Sequence, residues 1–252
     1  MADRMRELAY GPLAQVYDRF TQDVDYDALY AYLRQLIAAA GAAPQTVLDL
    51  ACGTGSLAVR FAAAGCRVTG ADASEEMLTV AADKAAGMDN PPFFIKQSMQ
   101  RLRLPRPVEL CICTLDSLNY LTQEQDVAST FAGVYRALCP GGLFVFDVRT
   151  PSLLRALDGQ VFLDEDDGAY CVWRGSYERG VLTYAMDIFT RQGKLWRREQ
   201  EQHEERAWEP DWLAGQLAQA GFADIRRYGN RRLDPPAEDE ERIFFLARKG
   251  II

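Results

Sequence analysis

Asp49, Gly53, Gly55 and Asp72 are the residues of this sequence whose types and spacing are best suited to holding a charged nucleoside. They stand in Val47-Leu-Asp-Leu-Ala-Cys-Gly-Thr-Gly-Ser-Leu57 and in Cys66-Arg-Val-Thr-Gly-Ala-Asp72. Gly53 and Gly55 let the backbone turn sharply, and let a ligand approach without meeting a Cβ atom. Asp72 stands at the carboxyl end of the strand read over Arg67 to Ala71, and a carboxylate there can accept both hydroxyl hydrogens of a ribose. Gly53-Thr-Gly55-Ser-Leu-Ala58 also satisfies G-x-G-x-x-A, a dinucleotide fingerprint, so these residues alone leave two ligand classes open.

The elements that must position them follow the chain. Asp25 is an N-cap for a helix whose Leu29, Leu33, Leu36 and Ile37 share one face, and Gly41 ends it. Val47 to Leu50 reads as a buried parallel strand, Ser56 to Ala64 as a helix stopped by Gly65, and Arg67 to Ala71 as the next strand. Ser74 caps a further helix, with Glu75 and Glu76 in its first turn and Gly87 past its end. Phe93 to Ile95 and Val108 to Leu115 are strands. Thr122-x-x-Gln125 reads as a capping box for a helix reaching Leu138. Pro140-Gly-Gly142 turns into Leu143 to Phe146, a strand ending on Asp147. Alternation at this spacing predicts βαβ units and a parallel sheet. The pattern then changes. Ala169 to Tyr177, Val181 to Thr190 and Leu195 to Ala207 read as an antiparallel meander turned by Glu178-Arg-Gly180 and Gln192-Gly193. Pro210 suits the first turn of a helix that Gly221 closes. Asp224 to Tyr228 and Ile243 to Ala247 have no room for a crossover helix between them, so they pair antiparallel.

Composition narrows the function classes. The 252 residues are 48% hydrophobic, which allows one large α/β domain with an insertion. No apolar run reaches the length of a membrane span, and Met1 to Tyr10 lacks an apolar signal core, which predicts a cytoplasmic protein with no membrane partner. The six cysteines, Cys52, Cys66, Cys111, Cys113, Cys139 and Cys171, show no C-x-x-C spacing, which predicts reduced thiols, no disulfide framework and no metal site. A net charge of −8 argues against broad attraction to nucleic acid. The basic clusters around Arg197 and Arg226 lie near acids and read as solvated faces. The acidic runs Asp164 to Asp167 and Glu238 to Glu241 read as loops.

Asp49, inside the strand before the glycines, discriminates between the two ligand classes. Asp49-Leu-Ala51-Cys-Gly53-Thr-Gly55 resembles motif I of the class I S-adenosylmethionine (SAM) methyltransferases. That resemblance implies a loop of Ala51, Gly53, Thr54 and Gly55 around the amino-acid end of SAM, with Asp49 toward its ammonium. Asp72-Ala-Ser-Glu-Glu-Met77 is similar to the family's ribose acid and adenine-side segment, which brings in Asp72, Ala73 and Met77. Gln97-Ser-Met99 falls where many relatives carry an adenine-binding acid. Ser98 replaces that acid, and the Met99 backbone N–H remains available. Val16-Tyr-Asp-Arg-Phe-Thr-Gln-Asp-Val-Asp-Tyr26, Asp116-Ser-Leu-Asn-Tyr-Leu121 and Glu201-Gln-His-Glu-Glu-Arg-Ala-Trp208 together resemble a bacterial subgroup of these enzymes. The implied roles are Tyr17 and Tyr26 over SAM, Asp116 beside its methionine part, and Asn119 and Tyr120 toward the substrate. An aromatic face suits a sulfonium through cation–π attraction.

The resemblance covers the whole chain. It implies a doubly wound, mostly parallel seven-stranded sheet with a reversed last strand. Residues 1–45 would form a helical lid, 46–150 the SAM-binding core, 151–208 an antiparallel cover over the substrate, and 209–252 the end of the core. His203, the one histidine, shares a strand face with Arg197, Glu199, Glu201 and Glu205. It reads either as a general base near the acceptor or as a strap on a solvated face, the second being favoured.

The activity so implied is in-line methyl transfer from SAM, leaving S-adenosylhomocysteine, without a metal. Positioning supplies much of such catalysis, and a base is needed only where the acceptor arrives protonated. A small-molecule acceptor is the leading reading. RNA or protein as acceptor, a non-catalytic SAM-binding domain and an NAD-dependent oxidoreductase are the alternatives. Acceptor identity and oligomeric state are not legible in the sequence.

Overall fold

A computed structural model describes residues 24–166 and 168–251; Tyr17 and the segment before Val24 lie outside the described residues. Two sheets organise the chain. The larger has seven strands in the order β10-β11-β5-β4-β1-β2-β3. Strands β1 (Thr46–Leu50), β2 (Arg67–Asp72), β3 (Phe93–Lys96), β4 (Val108–Cys113) and β5 (Leu138–Arg149) pair parallel. The last strand, β11 (Arg242–Lys249), runs antiparallel between β5 and β10 (Phe222–Tyr228).

Helices cover both faces of this sheet, as an α/β chain with two-sided apolar strands requires. On one side α1 (Tyr26–Ala39) and α2 (Ser56–Ala63) bury Leu29, Leu33, Leu36 and Phe61 against Val47, Ile112, Val145 and Phe244. On the other, α4 (Glu124–Ala137) and α6 (Pro210–Gln219) pack Phe131, Val134, Leu213 and Leu217 against Leu48, Cys111, Phe146 and Phe245. The caps fall where the sequence places them. The Asp25 carboxylate accepts from Ala28 N at 2.8 Å, and Ser74 Oγ accepts from Met77 N at 3.1 Å at the head of α3 (Glu75–Ala85).

The second sheet has the order β6-β7-β8-β9, all antiparallel. Strands β7 (Ala169–Glu178), β8 (Val181–Gln192) and β9 (Leu195–Arg206) match the predicted meander. Arg179 and Gly180 both take positive φ, 52° and 82°, as a two-residue hairpin turn demands. Helix α5 (Pro151–Ala156) leads into this sheet and buries Leu154 beneath it. Gly175 sits where the chain leaving α5 crosses β7, since a Cβ there would stand 2.3 Å from the Leu157 carbonyl oxygen.

Four expectations change. The acidic run from Asp164 enters a strand, β6 (Val161–Asp166), rather than a loop. It is an edge strand, and acids there oppose pairing with another chain. The strand β5 is longer than expected and carries Pro140-Gly-Gly142 inside it, taken up by a register shift between Val108 and Leu110 on β4. Strand β4 is shorter, ending at Cys113. The capping box at Thr122 does not form: α4 is capped at Gln123 without a side-chain bond, and Arg206 Nη1 donates to the Thr122 carbonyl at 2.9 Å.

That last contact belongs to a join between the sheets. Trp208 Nε1 donates to the Leu121 carbonyl at 3.0 Å, its ring stacks on Trp212 at 4.4 Å, and the Arg206 guanidinium lies 4.4 Å above it. Removing the indole donor leaves a buried carbonyl unpaired. Trp208→Phe is therefore expected to lower unfolding free energy by about 1–3 kcal/mol, read as a lower denaturant midpoint with an unchanged slope.

Candidate functional site

The carboxyl ends of β1, β2 and β4 meet at one rim of the large sheet, the edge where open α/β sheets bind ligands. Gly53 and Gly55 take φ of 52° and 73°, and Ala51 shares the left-handed region at 57°. A Cβ on Gly55 would stand 3.0 Å from Ala81 Cβ and 3.1 Å from the Phe94 ring, whereas one on Gly53 would meet nothing within 4 Å. The loop is thus braced on one side and open on the other. Lys84 Nζ braces it further, donating to Thr54 Oγ1 at 3.1 Å and Ser56 Oγ at 2.8 Å.

Asp72 ties the loop to the next strand. Its carboxylate accepts from Gly53 N and from Ser74 N, both at 2.9 Å. Burial pushes its pKa up, while these amides and that of Ala73 pull it back. Asp49 lies beneath, 3% exposed. Burial and then the nearby Asp72 charge push it up to about 7, against one backbone hydrogen bond from Ala58. Its Oδ2 has no hydrogen-bond partner among the described residues. A buried unpaired carboxylate oxygen is costly, and a cationic ligand would relieve it.

The flanking candidates gather at the same end. Ser98 heads a single turn at Met99–Arg101, and Met99 Sδ lies 3.7 Å from Cys113 Sγ on β4. Met77 is buried at the head of α3, and Ala73 is exposed before it. Tyr26 opens α1 and has the Arg60 guanidinium 5.6 Å over its ring.

Beyond β4 the backbone is unusual. Leu115 and Asp116 both have positive φ, 58° and 54°, without being glycine. Asp147 on β5 holds them: its two oxygens accept from Leu115 N at 2.7 Å and Asp116 N at 3.1 Å. Arg242 of β11 pairs with Asp147, and its Nη2 reaches Asp116 Oδ1 at 2.6 Å. Burial opposes charge on Asp116, but Arg149 and Arg242 outweigh it and hold its carboxyl below the usual range. Arg149 also donates to Tyr184 Oη at 3.0 Å and Glu205 Oε1 at 3.3 Å. Sequence reading missed Asp147, Arg149, Arg242 and Glu205 as site residues. A buried acid ending a predicted strand was the one signal available.

The turn Ser117–Tyr120 follows, carrying Asn119 and Tyr120. The Asn119 amide is engaged on both sides. Its Nδ2 donates to the carbonyls of Arg149 at 3.1 Å and Arg206 at 2.9 Å, and its Oδ1 accepts from Arg149 N at 3.1 Å. It stitches the rim to the second sheet. Tyr120 stays partly exposed, and its hydroxyl lies 3.5 Å from His203 Nδ1. His203 Nε2 is 3.0 Å from Glu201 Oε2. The sequence had suggested a solvated face here, but Glu201, His203 and Glu205 are buried, at 9%, 2% and 1% exposed. The second sheet turns that face inward against the rim.

Comparison with known proteins adds the following. Residues 47–142 match the family described as "Methyltransferase domain". The chain is 32% identical to "Putative methyltransferase YqeM" of Bacillus subtilis (strain 168), over 96% of this chain and 98% of that protein. A solved structure, a SAM-dependent methyltransferase from Clostridium acetobutylicum, superposes with a TM-score of 0.86 at 28% identity, covering 96% of this chain and 99% of that one. A dTDP-3-amino-3,4,6-trideoxy-alpha-D-glucopyranose N,N-dimethyltransferase of Streptomyces venezuelae is 28% identical over 53% of this chain and 56% of its own.

Glu205 offers a test of the buried charges. Burial pushes its carboxyl from 4.5 to about 8, with Arg149 pulling the other way and Asp116 adding to the rise. A raised carboxyl contributes stability that is complete below its unfolded value and lost as pH climbs through about 8. Glu205→Gln is expected to flatten the decline in melting temperature between about pH 4.5 and 8. Thermal unfolding across that range reads it, and an unchanged decline would mean that Glu205 ionises normally.

Proposed function

From its membership of the SAM-dependent methyltransferases, which the whole-length relatives establish, we propose that this chain methylates a small molecule held between the strand-end rim and the inward face of β9. The residues fit the cofactor. Asp49 would meet the ammonium of SAM, and Ala51, Gly53, Thr54 and Gly55 would surround its amino-acid tail. Asp72 has lone pairs left for two ribose hydroxyls beyond the amides it already accepts. Ala73 and Met77 would flank the adenine, with Ser98 and the Met99 amide at its edge. Bound SAM supplies an electrophilic methyl on sulfur.

The observation that carries this reading is the unpaired, buried Asp49 oxygen below an open glycine loop. An NAD site needs no such acid before its glycines. Asp116 would lie beside the methionine part of SAM, Asn119 would shape the rim, and Tyr120 would face the acceptor. The net charge of −8 disfavours a polyanionic RNA acceptor. The amino-sugar enzyme of Streptomyces venezuelae, which aligns with 53% of this chain at 28% identity, supports a small acceptor.

Two measurements test the reading. The first is calorimetric titration with SAM and with S-adenosylhomocysteine. An ammonium favours the carboxylate form of Asp49, so binding below about pH 7 must expel a proton. Affinity is expected to rise with pH through about 7 and level off above it, with proton release visible as a buffer-dependent enthalpy. Asp49→Asn is expected to abolish that release and to weaken binding by about 1.5–3 kcal/mol. The second is transfer of labelled methyl from SAM to size-fractionated bacterial extract. Label is expected in the low-mass fraction. Label confined to RNA or protein would move the reading to a macromolecular acceptor, and SAM binding without transfer would indicate a non-catalytic domain.

A further inference from the structure

The observations are a chain of side chains from the rim into the second sheet. Tyr120 stands partly exposed at the end of its turn, its Oη 3.5 Å from His203 Nδ1 and its ring edge-on to the imidazole at 5.7 Å. The phenol–imidazole distance is long for a hydrogen bond, as such pairs often are before substrate binds. His203 Nε2 in turn faces Glu201 Oε2 at 3.0 Å, deep in the same face. A carboxylate on Nε2 keeps the proton on that nitrogen, and Nδ1 is left as an acceptor directed at the phenol.

We propose that Tyr120, His203 and Glu201 form a proton relay that deprotonates the methyl acceptor. The inference rests on the small-acceptor reading above and deepens it. As the acceptor's heteroatom bonds to the methyl carbon and the C–S electron pair returns to sulfur, the acceptor's proton passes to Tyr120 Oη. The phenolic proton passes at the same time to His203 Nδ1, and the imidazolium so formed is balanced by the Glu201 carboxylate. Nothing is oxidised or reduced, and the proton later leaves through the exposed phenol. Tyr120 is the catalytic residue; His203 and Glu201 are positioning residues that act through it.

The geometry separates this arrangement from a strap. A strap needs only packing and a bond to backbone, which Asn119 and Trp208 already supply at this join. Other ionisable groups adjoin the relay: Arg149 interacts electrostatically with Tyr120, and Cys171 with Glu201. Tyr184, the cross-strand partner of His203 on β8, gives its oxygen to Arg149, and Glu205, two residues beyond His203, pairs with the same guanidinium. The relay thus adjoins the buried cluster built around Arg149.

His203 is the chain's one histidine, so its imidazole nitrogens are read without ambiguity by 15N NMR of histidine-labelled protein. With S-adenosylhomocysteine bound, we expect Nε2 protonated and Nδ1 bare, and the Nδ1 resonance should move in Tyr120→Phe. The opposite tautomer, or an Nδ1 resonance blind to that substitution, overturns the relay. In the transfer assay with the low-mass extract fraction, His203→Gln and Tyr120→Phe should each lower kcat by about 10²–10⁴-fold with KM for SAM unchanged. Transfer that survives both substitutions sinks the relay alone. Absence of transfer by the wild type sinks the small-acceptor reading, and this inference with it. Should His203→Gln fail to fold, Tyr120→Phe, altered at a partly exposed phenol, carries the same comparison.

Discussion

A buried cluster of charge holds the two sheets in register and fixes the rim between them. Asp116, Asp147 and Glu205 meet Arg149 and Arg242 where the ends of β4, β5 and β9 and the start of β11 converge. Three carboxyl groups against two guanidiniums leave one negative charge over, and the low dielectric makes that costly. The burden falls on Glu205, the one with an oxygen lacking a partner and a carboxyl raised to about 8. Burial pushes Asp147 up as well, but it accepts two backbone amides in addition to Arg242. That choice has a structural product: two successive left-handed residues, Leu115 and Asp116, each costing of order 1–3 kcal/mol, stay in place because an anion sits in the concavity they make. The turn bearing Asn119 and Tyr120 is launched from that strained pair.

The glycine loop solves a similar problem by other means. There the left-handed positions fall on Gly53 and Gly55, which pay little for them, and on Ala51. Asp72 fixes one end through the Gly53 amide and Lys84 the other through Thr54 and Ser56. A loop braced before any ligand arrives loses little entropy on binding, which is how preorganisation raises affinity.

What could be read in the sequence was local. The caps at Asp25 and Ser74, the glycine loop, the alternation of strand and helix and the three strands of the meander all depend on neighbours within a few residues, and they were legible. Strand β6 was not, because an acidic edge strand looks like a loop until its partner β7 is known. The expected capping box had the right residues, yet the helix starts one residue later, and Arg206, 84 residues away, donates to the Thr122 carbonyl. Distance in sequence also hid the charge cluster: Arg242 pairs with Asp147 across 95 residues and with Asp116 across 126. His203 was legible as a candidate but its burial was not. Alternation shows which residues share a strand face, while only the packing of one sheet on another decides whether that face is wet.

The role proposed for Asp49 divides binding from catalysis. On the reading given to Asp49, its charge meets the amino-acid tail, a part of the cofactor that is the same before and after methyl transfer. Attraction there strengthens the ground state and the transition state alike, so it lowers the concentration of SAM needed without changing the rate of the chemical step. An acid placed instead beside the sulfonium would favour the charged reactant over the neutral product and would slow transfer. Rate must therefore come from elsewhere, from alignment and from the handling of the acceptor's proton. The buried surplus of acid at Glu205 is kept off the reacting line by Arg149, which also takes up the Tyr184 oxygen. On the relay proposed above, the acceptor's proton is handled by Tyr120 with His203 behind it.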